Sequence, residues 1–430
     1  MVYPTDTNIP QGSGDVNTRA GMPSETSEGV RCESRKDPSD MARNDRRRAA
    51  HRSRLRLRID LHGTARSSGS SSAKSKPPDV AVLMSGGVDS SVAALLLRYQ
   101  GVECAGVFLR LAESVAEMRA PDGADDARDV AAWLGIPFYI LDFMDAFEKE
   151  VVDRFVSSYL RGDTPNPCIE CNRRVKIGGF LGRAAAMGIA RVATGHYARV
   201  SHGSEGGRHL LLKGMDDSKD QSYMLYALSQ EQLARTIFPL GSLTKRESRE
   251  LAEAHGLTNA RKKDSQDICF VQDGDFRRFI EMRAKDVGCA KPGLIVDAKG
   301  KELGSHRGAF RYTLGQRKGL GVALGYPAYV IGKSVEDNIV IVGGEQELYA
   351  KTLYATGINL IAAGRLVGAT RVEARSRYRQ RARPATAWQT GADELRVSFD
   401  EPQRALTPGQ AVVLYDGDVV IGGGTIARVV

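Results

Sequence analysis

Residues 80–97 read VAVLMSGGVDSSVAALLL, an apolar run, a Ser-Gly-Gly turn and the start of an apolar helix. A buried strand that turns on two glycines into a helix is the first unit of a β-α-β fold. The pattern continues through SSVAALLLRYQG, ECAGVFLRL, DARDVAAWLG, PFYILDF and ARVATGHY. Strands alternating with helices of this length predict an α/β protein built on a doubly wound parallel sheet. At the turn, Gly86 and Gly87 let the backbone approach an anion, and Ser85, Ser90 and Ser91 supply hydroxyls. The helix beginning near Asp89 points its amides and positive dipole end at the same place. A phosphate group belongs there. No Lys-Ser or Lys-Thr follows the glycines, so this is not the Walker pattern. An acid at a phosphate site, Asp89, suits Mg²⁺ bridging carboxylate and phosphate oxygens.

The texture changes twice along the 430 residues. Residues 1–76 lack sustained apolar periodicity and end in SSGSSSAKSKPP, which predicts a disordered basic, Ser-rich extension. Within 41–76 eleven Lys and Arg face two Asp, which accounts for the whole formal charge of +9. The extension reads as a basic arm for nucleic acid or an organelle-targeting stretch, or else as sequence upstream of a start at Met41 or later. Residues 77–283 hold the phosphate loop, with helices dominating 219–283. Beyond Cys289, Gly and Pro punctuate short alternating strands such as AYVIGK, NIVIVGG, LRVSFD and AVVLYDG. These predict a small central β-rich domain over 284–346 and a C-terminal β-barrel over 347–430. No window approaches 18 uncharged apolar residues, and the first 30 lack the apolar centre of a secretory signal. A cytoplasmic protein without membrane contact is therefore expected.

Six cysteines in a reducing compartment do not form a disulfide framework. Cys32 lies in the extension, Cys104 on an apolar strand reads as core, and Cys289 falls at a domain junction. The other three sit in polar, cationic settings. TPNPCIECNRR (164–174) puts Cys168 and Cys171 three residues apart, after two prolines and ahead of Arg173, Arg174 and Lys176. Nearby cations and a helix N-terminus both lower a thiol pKa, so Cys171 is expected to be an activated nucleophile. Zinc would need two further ligands, and no second C-x-x-C or H-x-x-x-H exists. Cys269, in KKDSQDICFVQDGDF, follows Lys262 and Lys263. Two such cysteines and an ATP loop suggest a reaction in which ATP activates a carbonyl and sulfur carried on one cysteine displaces AMP.

SGGVDSS after a strand resembles the PP-loop of the N-type ATP pyrophosphatases, which bind ATP and transfer AMP to a carbonyl oxygen. SGGVDSS, TPNPCIECN, ATGHYAR, GMDDSKDQSYMLYAL, KKDSQDICFVQDGDF, YTLGQRKGLG, SRYRQ and FDEPQRALTPGQAVVLYDGD follow one another in this order. With them, residues 79–430 resemble the bacterial tRNA-specific 2-thiouridylases. The resemblance implies a tRNA-uridine 2-sulfurtransferase that adenylates O2 of the wobble uridine in tRNAs for Lys, Glu and Gln. Sulfur then arrives from a sulfur-relay donor protein.

Residue by residue, the resemblance implies ATP on Leu83, Met84, Ser85, Gly86, Gly87, Val88, Asp89 and Ser90, with Mg²⁺ at Asp89. Leu109 would lie near the adenine and Gly195 would line the nucleotide. Asn166, Pro167 and Cys168 would face the target base, while His196, Lys219, Asp220, Gln221, Arg377, Tyr378 and Gln410 would contact tRNA. Cys269 corresponds to the persulfide cysteine and Cys171 to the nucleophile, with a transient disulfide between them. Two departures stand out. Many members carry Asp, a proposed acid or base, where this chain has Cys168, and the segment from Leu109 to Asp129 is shorter than usual. The three cysteines could alternatively hold a [4Fe–4S] cluster with one open iron that binds sulfide. Two other functions stay open: an ATP pyrophosphatase acting on a small molecule, and a non-catalytic RNA-binding protein. Intact Ser85, Gly86, Gly87 and Asp89 argue against the latter.

Overall fold

The structure, a computed structural model, describes residues 78–112, 123–203, 207–263, 268–271, 274–284, 291–322 and 324–430. The expected 1–76 extension with Cys32, part of the short segment after Leu109, and Cys289 lie outside the described residues. The chain runs through β1 (Val80–Leu83), β2 (Cys104–Arg110), β3 (Phe138–Asp142), β4 (Arg191–Ala193), a hairpin of β5 (Ala198–Ser201) and β6 (Leu210–Lys213), and β7 (Thr236–Ile237). Five of these form a parallel sheet in the order β3-β2-β1-β4-β7.

β1 lies at its centre, with Val80 opposite both Cys104 and Arg191. Val80, Ala81 and Val82 are fully buried, as is most of the apolar face of the helix Val88–Tyr99. A strand covered on both faces needs no polar alternation, which is why VAVL reads as an unbroken apolar run. Cys104 is buried on β2. From β1 the sheet grows to one side through β2 and β3, then to the other through β4. Open α/β sheets bind ligands outside the carboxyl ends of the strands where this order reverses. The Ser85–Asp89 loop leaves β1 there, and Gly195 and His196 follow β4.

The central domain is a four-stranded sheet of β8 (Gly293–Asp297), β9 (Glu302–His306), β10 (Tyr329–Ser334) and β11 (Ile339–Gly343), in the order β10-β11-β8-β9. Its core holds Ile295, Val330, Val340 and Val342. The C-terminal strands are β12 (Tyr349–Leu360), β13 (Thr370–Arg375), β14 (Arg383–Gly391), β15 (Glu394–Arg404), β16 (Ala411–Asp416) and β17 (Val419–Val429). They run antiparallel in the order β12-β15-β14-β13-β16-β17, and β17 returns to β12 to close a six-stranded barrel. The α/β core and both β domains expected from the sequence are therefore present.

One connection was not expected. The β5–β6 hairpin lies in sequence between strands of the parallel sheet, yet it continues the barrel sheet. Leu212 pairs with Val419, the Lys213 amide donates to the Asp418 carbonyl at 2.8 Å, and Arg199 donates to the Asp418 carboxylate at 2.8 Å. A two-stranded hairpin is marginal in water alone, so docking on β17 stabilises it. No helix among the described residues is long and apolar enough to cross a membrane.

Candidate active site

The phosphate loop is held by its own hydroxyls. Ser90 Oγ accepts from the Ser85 amide at 3.1 Å and donates to the Gly87 carbonyl at 3.0 Å, and Ser91 Oγ donates to the same carbonyl at 3.1 Å. Gly86 has φ +72°, and a Cβ there would lie 2.2 Å from the Gly123 carbonyl oxygen, so only glycine fits. A Cβ on Gly195 would come within 2.7 Å of the Asp89 and Ser90 backbone. The turn after β4 is thus pressed onto the loop. Leu83 and Leu109, at the ends of β1 and β2, are half-buried, and Met84 and Val88 are buried.

Asp89, one third exposed, is already engaged. Its carboxylate accepts from Lys245 Nζ at 2.7 and 2.8 Å and from the Tyr197 hydroxyl at 2.8 Å. Buried Asn259 braces the loop from behind, donating to the Gly86 carbonyl at 3.1 Å and to Ser91 Oγ at 2.9 Å. Neither Lys245 nor Asn259 carries a local sequence signal, because each lies more than 150 residues from the loop it serves.

TPNPC begins a helix one turn earlier than the charge pattern suggests. Asn166 caps it, its Oδ1 accepting from the Cys168 amide at 3.1 Å, and Pro167 opens the first turn. Cys168 is exposed in that turn, and Cys171 is buried at the start of a widened turn, closed by an Ile177 amide to Asn172 carbonyl bond at 3.0 Å. Such i to i+5 turns recur at functional sites. Arg174 is paired with Glu170 and Glu150, and Arg173 is exposed.

The expected activation of Cys171 is therefore corrected. Burial pushes its thiol up to about 11, and the Lys176 ammonium only partly opposes this. Lys176 is the cation that acts on this site. Its own pKa is raised, by Cys171 first and also by Cys269 and Cys168, against its burial. Cys269 is exposed, and its loop is fixed by Phe270, whose ring meets those of Phe147, Phe155 and Phe279 at 5.3 to 5.6 Å. His196 joins the same group: its Nδ1 lies 2.8 Å from Thr194 Oγ1, and burial, then Lys176, lowers its pKa to about 3. The imidazole is neutral.

Among the described residues, no group of three or more His, Cys, Asp or Glu side chains is arranged to hold a metal ion. One thiol in the core and two at the surface, with a single ammonium among them, do not fit a cluster that needs three thiolates at once.

The residues expected to meet tRNA divide into two groups. Asp220 is buried, accepting from the Gly214 and Ser222 amides, Ser222 Oγ and Arg375 at 3.0 to 3.2 Å. Gln221 accepts from the Tyr197 amide at 3.0 Å, and Lys219 is half-buried beside them in the turn. On the barrel, Arg377 donates to the Ala405 carbonyl at 2.6 Å and to Thr407 Oγ1 at 2.9 Å, and Tyr378 is half-buried against Tyr223. Gln410 donates to the Thr164 carbonyl at 2.6 Å, and the Thr164 amide donates to the Pro408 carbonyl at 3.0 Å. The barrel thereby grips the start of the cysteine segment. Arg375, not anticipated from sequence, lies over the Tyr223 and Tyr378 rings at 5.5 and 5.4 Å and joins the two groups.

A glycine-rich phosphate loop at the switch point of a parallel sheet, with cysteines gathered beside it, defines a nucleotide-binding α/β enzyme carrying two appended β domains. Three family descriptions match along the chain: "tRNA methyl transferase HUP domain" over 78–273, "tRNA methyl transferase PRC-barrel domain" over 283–344 and "Aminomethyltransferase beta-barrel domain" over 350–426. Similar proteins include tRNA-specific 2-thiouridylase MnmA of Moorella thermoacetica, 53% identical over 81% of this chain and 99% of the relative. Those of Heliobacterium modesticaldum and Acetivibrio thermocellus are 50% and 48% identical over the same share of this chain and 92% and 98% of theirs. The chain belongs to the tRNA-specific 2-thiouridylase family. Superposition on solved structures is loose, with a TM-score of 0.30 at 18% identity over 49% of this chain and 51% of the other for a 4-thiouridine synthetase–RNA complex with bound ATP. That likeness supports no functional inference.

Proposed function

We propose that this chain thiolates the wobble uridine of tRNAs for Lys, Glu and Gln at C2 in an ATP-dependent reaction. The observation that carries the proposal is adjacency: Gly195 is pressed on the phosphate loop, His196 follows it, and Lys176 beside His196 interacts with Cys171, Cys269 and Cys168. A nucleotide site and a sulfur site thus share one wall. The family descriptions mention methyl transfer, whereas the relatives are named for thiolation. Paired cysteines beside an ATP loop favour thiolation, because they have a use in carrying sulfur and none in adenylation.

In the first step uridine O2 attacks the α-phosphorus of ATP, and pyrophosphate leaves. The Ser85–Ser90 loop holds the phosphates with backbone amides and hydroxyls. Mg²⁺, when bound, would supply neutralisation of the polyphosphate, and Asp89 would hold it only with its Lys245 and Tyr197 contacts opened, since these take up both carboxylate oxygens in the structure. In the second step a persulfide on Cys269, formed by sulfur from a relay protein, attacks C2, and AMP leaves with the O2 oxygen. The Cys171 thiolate then attacks Cys269 Sγ. The bond between Cys269 Sγ and the transferred sulfur breaks, leaving the thiocarbonyl at C2 and a Cys171–Cys269 disulfide. A dithiol reductant restores both thiols. Lys176 stabilises whichever sulfur is anionic, and neutral His196 offers the base a hydrogen-bonding edge without adding charge.

Purified protein given ATP, Mg²⁺, unmodified tRNA and a persulfide donor should form 2-thiouridine, read by mass spectrometry of tRNA digests. Cys171→Ser and Cys269→Ser should each abolish product while keeping tRNA binding. Wild-type product from either variant would overturn the proposal.

A further inference from the structure

The phosphate loop has a cation that its sequence lacks. No Lys or Arg lies between Leu83 and Ser91, and Asp89 adds a negative charge where a polyphosphate must sit. We infer that Lys245 is a polyphosphate-binding residue of this site, an inference that rests on ATP occupying the Ser85–Ser90 loop.

The geometry carries it. Lys245 Nζ lies 2.7 and 2.8 Å from the two Asp89 oxygens, and its side chain is 12% exposed. Asp89 is the second residue of the helix whose first turn forms the loop, so the ammonium stands at the mouth of the phosphate site. It is held there by backbone. Lys245 opens the helix Lys245–Ala254 behind a reciprocal Thr244–Glu247 cap, and its amide donates to Asp216 Oδ2 at 2.9 Å. The Tyr197 hydroxyl steadies Asp89 from the other side at 2.8 Å.

Asp89 alone would repel the β- and γ-phosphates, and the paired lysine cancels that charge. When phosphate oxygens enter the loop, the ammonium is shared between Asp89 and the β- and γ-phosphates. It then neutralises pyrophosphate as it leaves. A P-loop carries its lysine within the motif; here the equivalent charge comes from a helix more than 150 residues downstream.

Calorimetry on the full chain with ATP, AMP and inorganic pyrophosphate, with and without EDTA, tests this. Lys245→Met should weaken ATP and pyrophosphate by about tenfold or more, as for one lost charge-assisted hydrogen bond. It should leave AMP nearly unchanged. Lys245→Gln, which keeps a donor for Asp89, should show the same selective loss and serves if the Met variant does not fold. Wild-type pyrophosphate affinity in either variant overturns the inference, and so does an equal loss of all three ligands, which would mean a merely structural pair. A wild-type chain that binds none of the three would instead overturn the nucleotide reading, and this inference with it.

Discussion

Asn259 donates its amide to the Gly86 carbonyl at 3.1 Å and to Ser91 Oγ at 2.9 Å, joining the segment after the helix Lys245–Ala254 to the phosphate loop. Its own Oδ1 is buried without a partner among the described residues. Asn259→Ala would leave the Gly86 carbonyl unpaired, at a cost of about 1–3 kcal/mol. Asn259→Asp should destabilise more, because a carboxylate oxygen would then face that carbonyl. Urea unfolding with ATP titration reads both effects, and unchanged stability in the Asp variant would refute the brace.

A thiol held up to about 11 is ionised in only about one molecule in a thousand at pH 8. Iodoacetamide at pH 7.5 should therefore modify exposed Cys269 well before Cys171, with Cys171 labelling climbing as the pH rises. Lys176→Met removes the cation that favours the thiolate, so it should slow Cys171 further. Peptide mass spectrometry over a pH series decides this; equal labelling of the two cysteines at pH 7.5 would contradict it.

His196 should not titrate between pH 5 and 8, because burial and Lys176 lower its pKa to about 3. Its imidazole NMR signals should stay flat over that range. In Lys176→Met the pKa should rise, since a like charge has gone. An inflection near 6.5 in the wild-type chain would rule out a permanently neutral ring.

Arg375 and Asp220 form an ion pair at 3.2 Å whose side chains are 14% and 4% exposed. Removing the arginine strands a buried carboxylate, and Arg375→Met should cost about 3–5 kcal/mol. Arg371 and Asp400 pair at 2.8 Å on the open barrel surface, and Arg371→Met should barely shift the melting temperature. Similar melting of the two variants would show that burial does not set the difference.

No bond forms or breaks at Cys168 in the proposed persulfide route, so Cys168→Ser should still form 2-thiouridine, with any loss confined to binding of the target base. Anaerobically purified protein should be colourless, with iron well below one atom per chain. Stoichiometric iron and acid-labile sulfide, lost in the Cys168 variant, would restore the cluster alternative.

The fold was legible because β1 and its turn are so constrained: VAVL is buried on both faces, and Gly86 adopts a backbone conformation that side chains avoid. The strand alternation of the barrel was readable for the same reason of periodicity. The electrostatics of the site were not. Counting Arg173, Arg174 and Lys176 near Cys171 suggested a lowered thiol pKa. Sequence could not show that Arg174 is spent on Glu170 and Glu150, or that Cys171 is in the core. Lys245, Asn259 and Arg375 were missed because their partners are neighbours only after folding.

The β5–β6 hairpin makes the barrel and the nucleotide domain poor candidates for separation. A fragment starting at the barrel would lose the strand that covers the outer edge of β17, and one ending before it would strand β6 with an unpaired edge, an invitation to aggregation. Recombining this barrel with another relative's nucleotide domain should work only when the hairpin travels with the barrel or the Leu212–Val419 seam is matched. The sheet, by its hydrogen bonding, crosses the boundary that the linear sequence suggests.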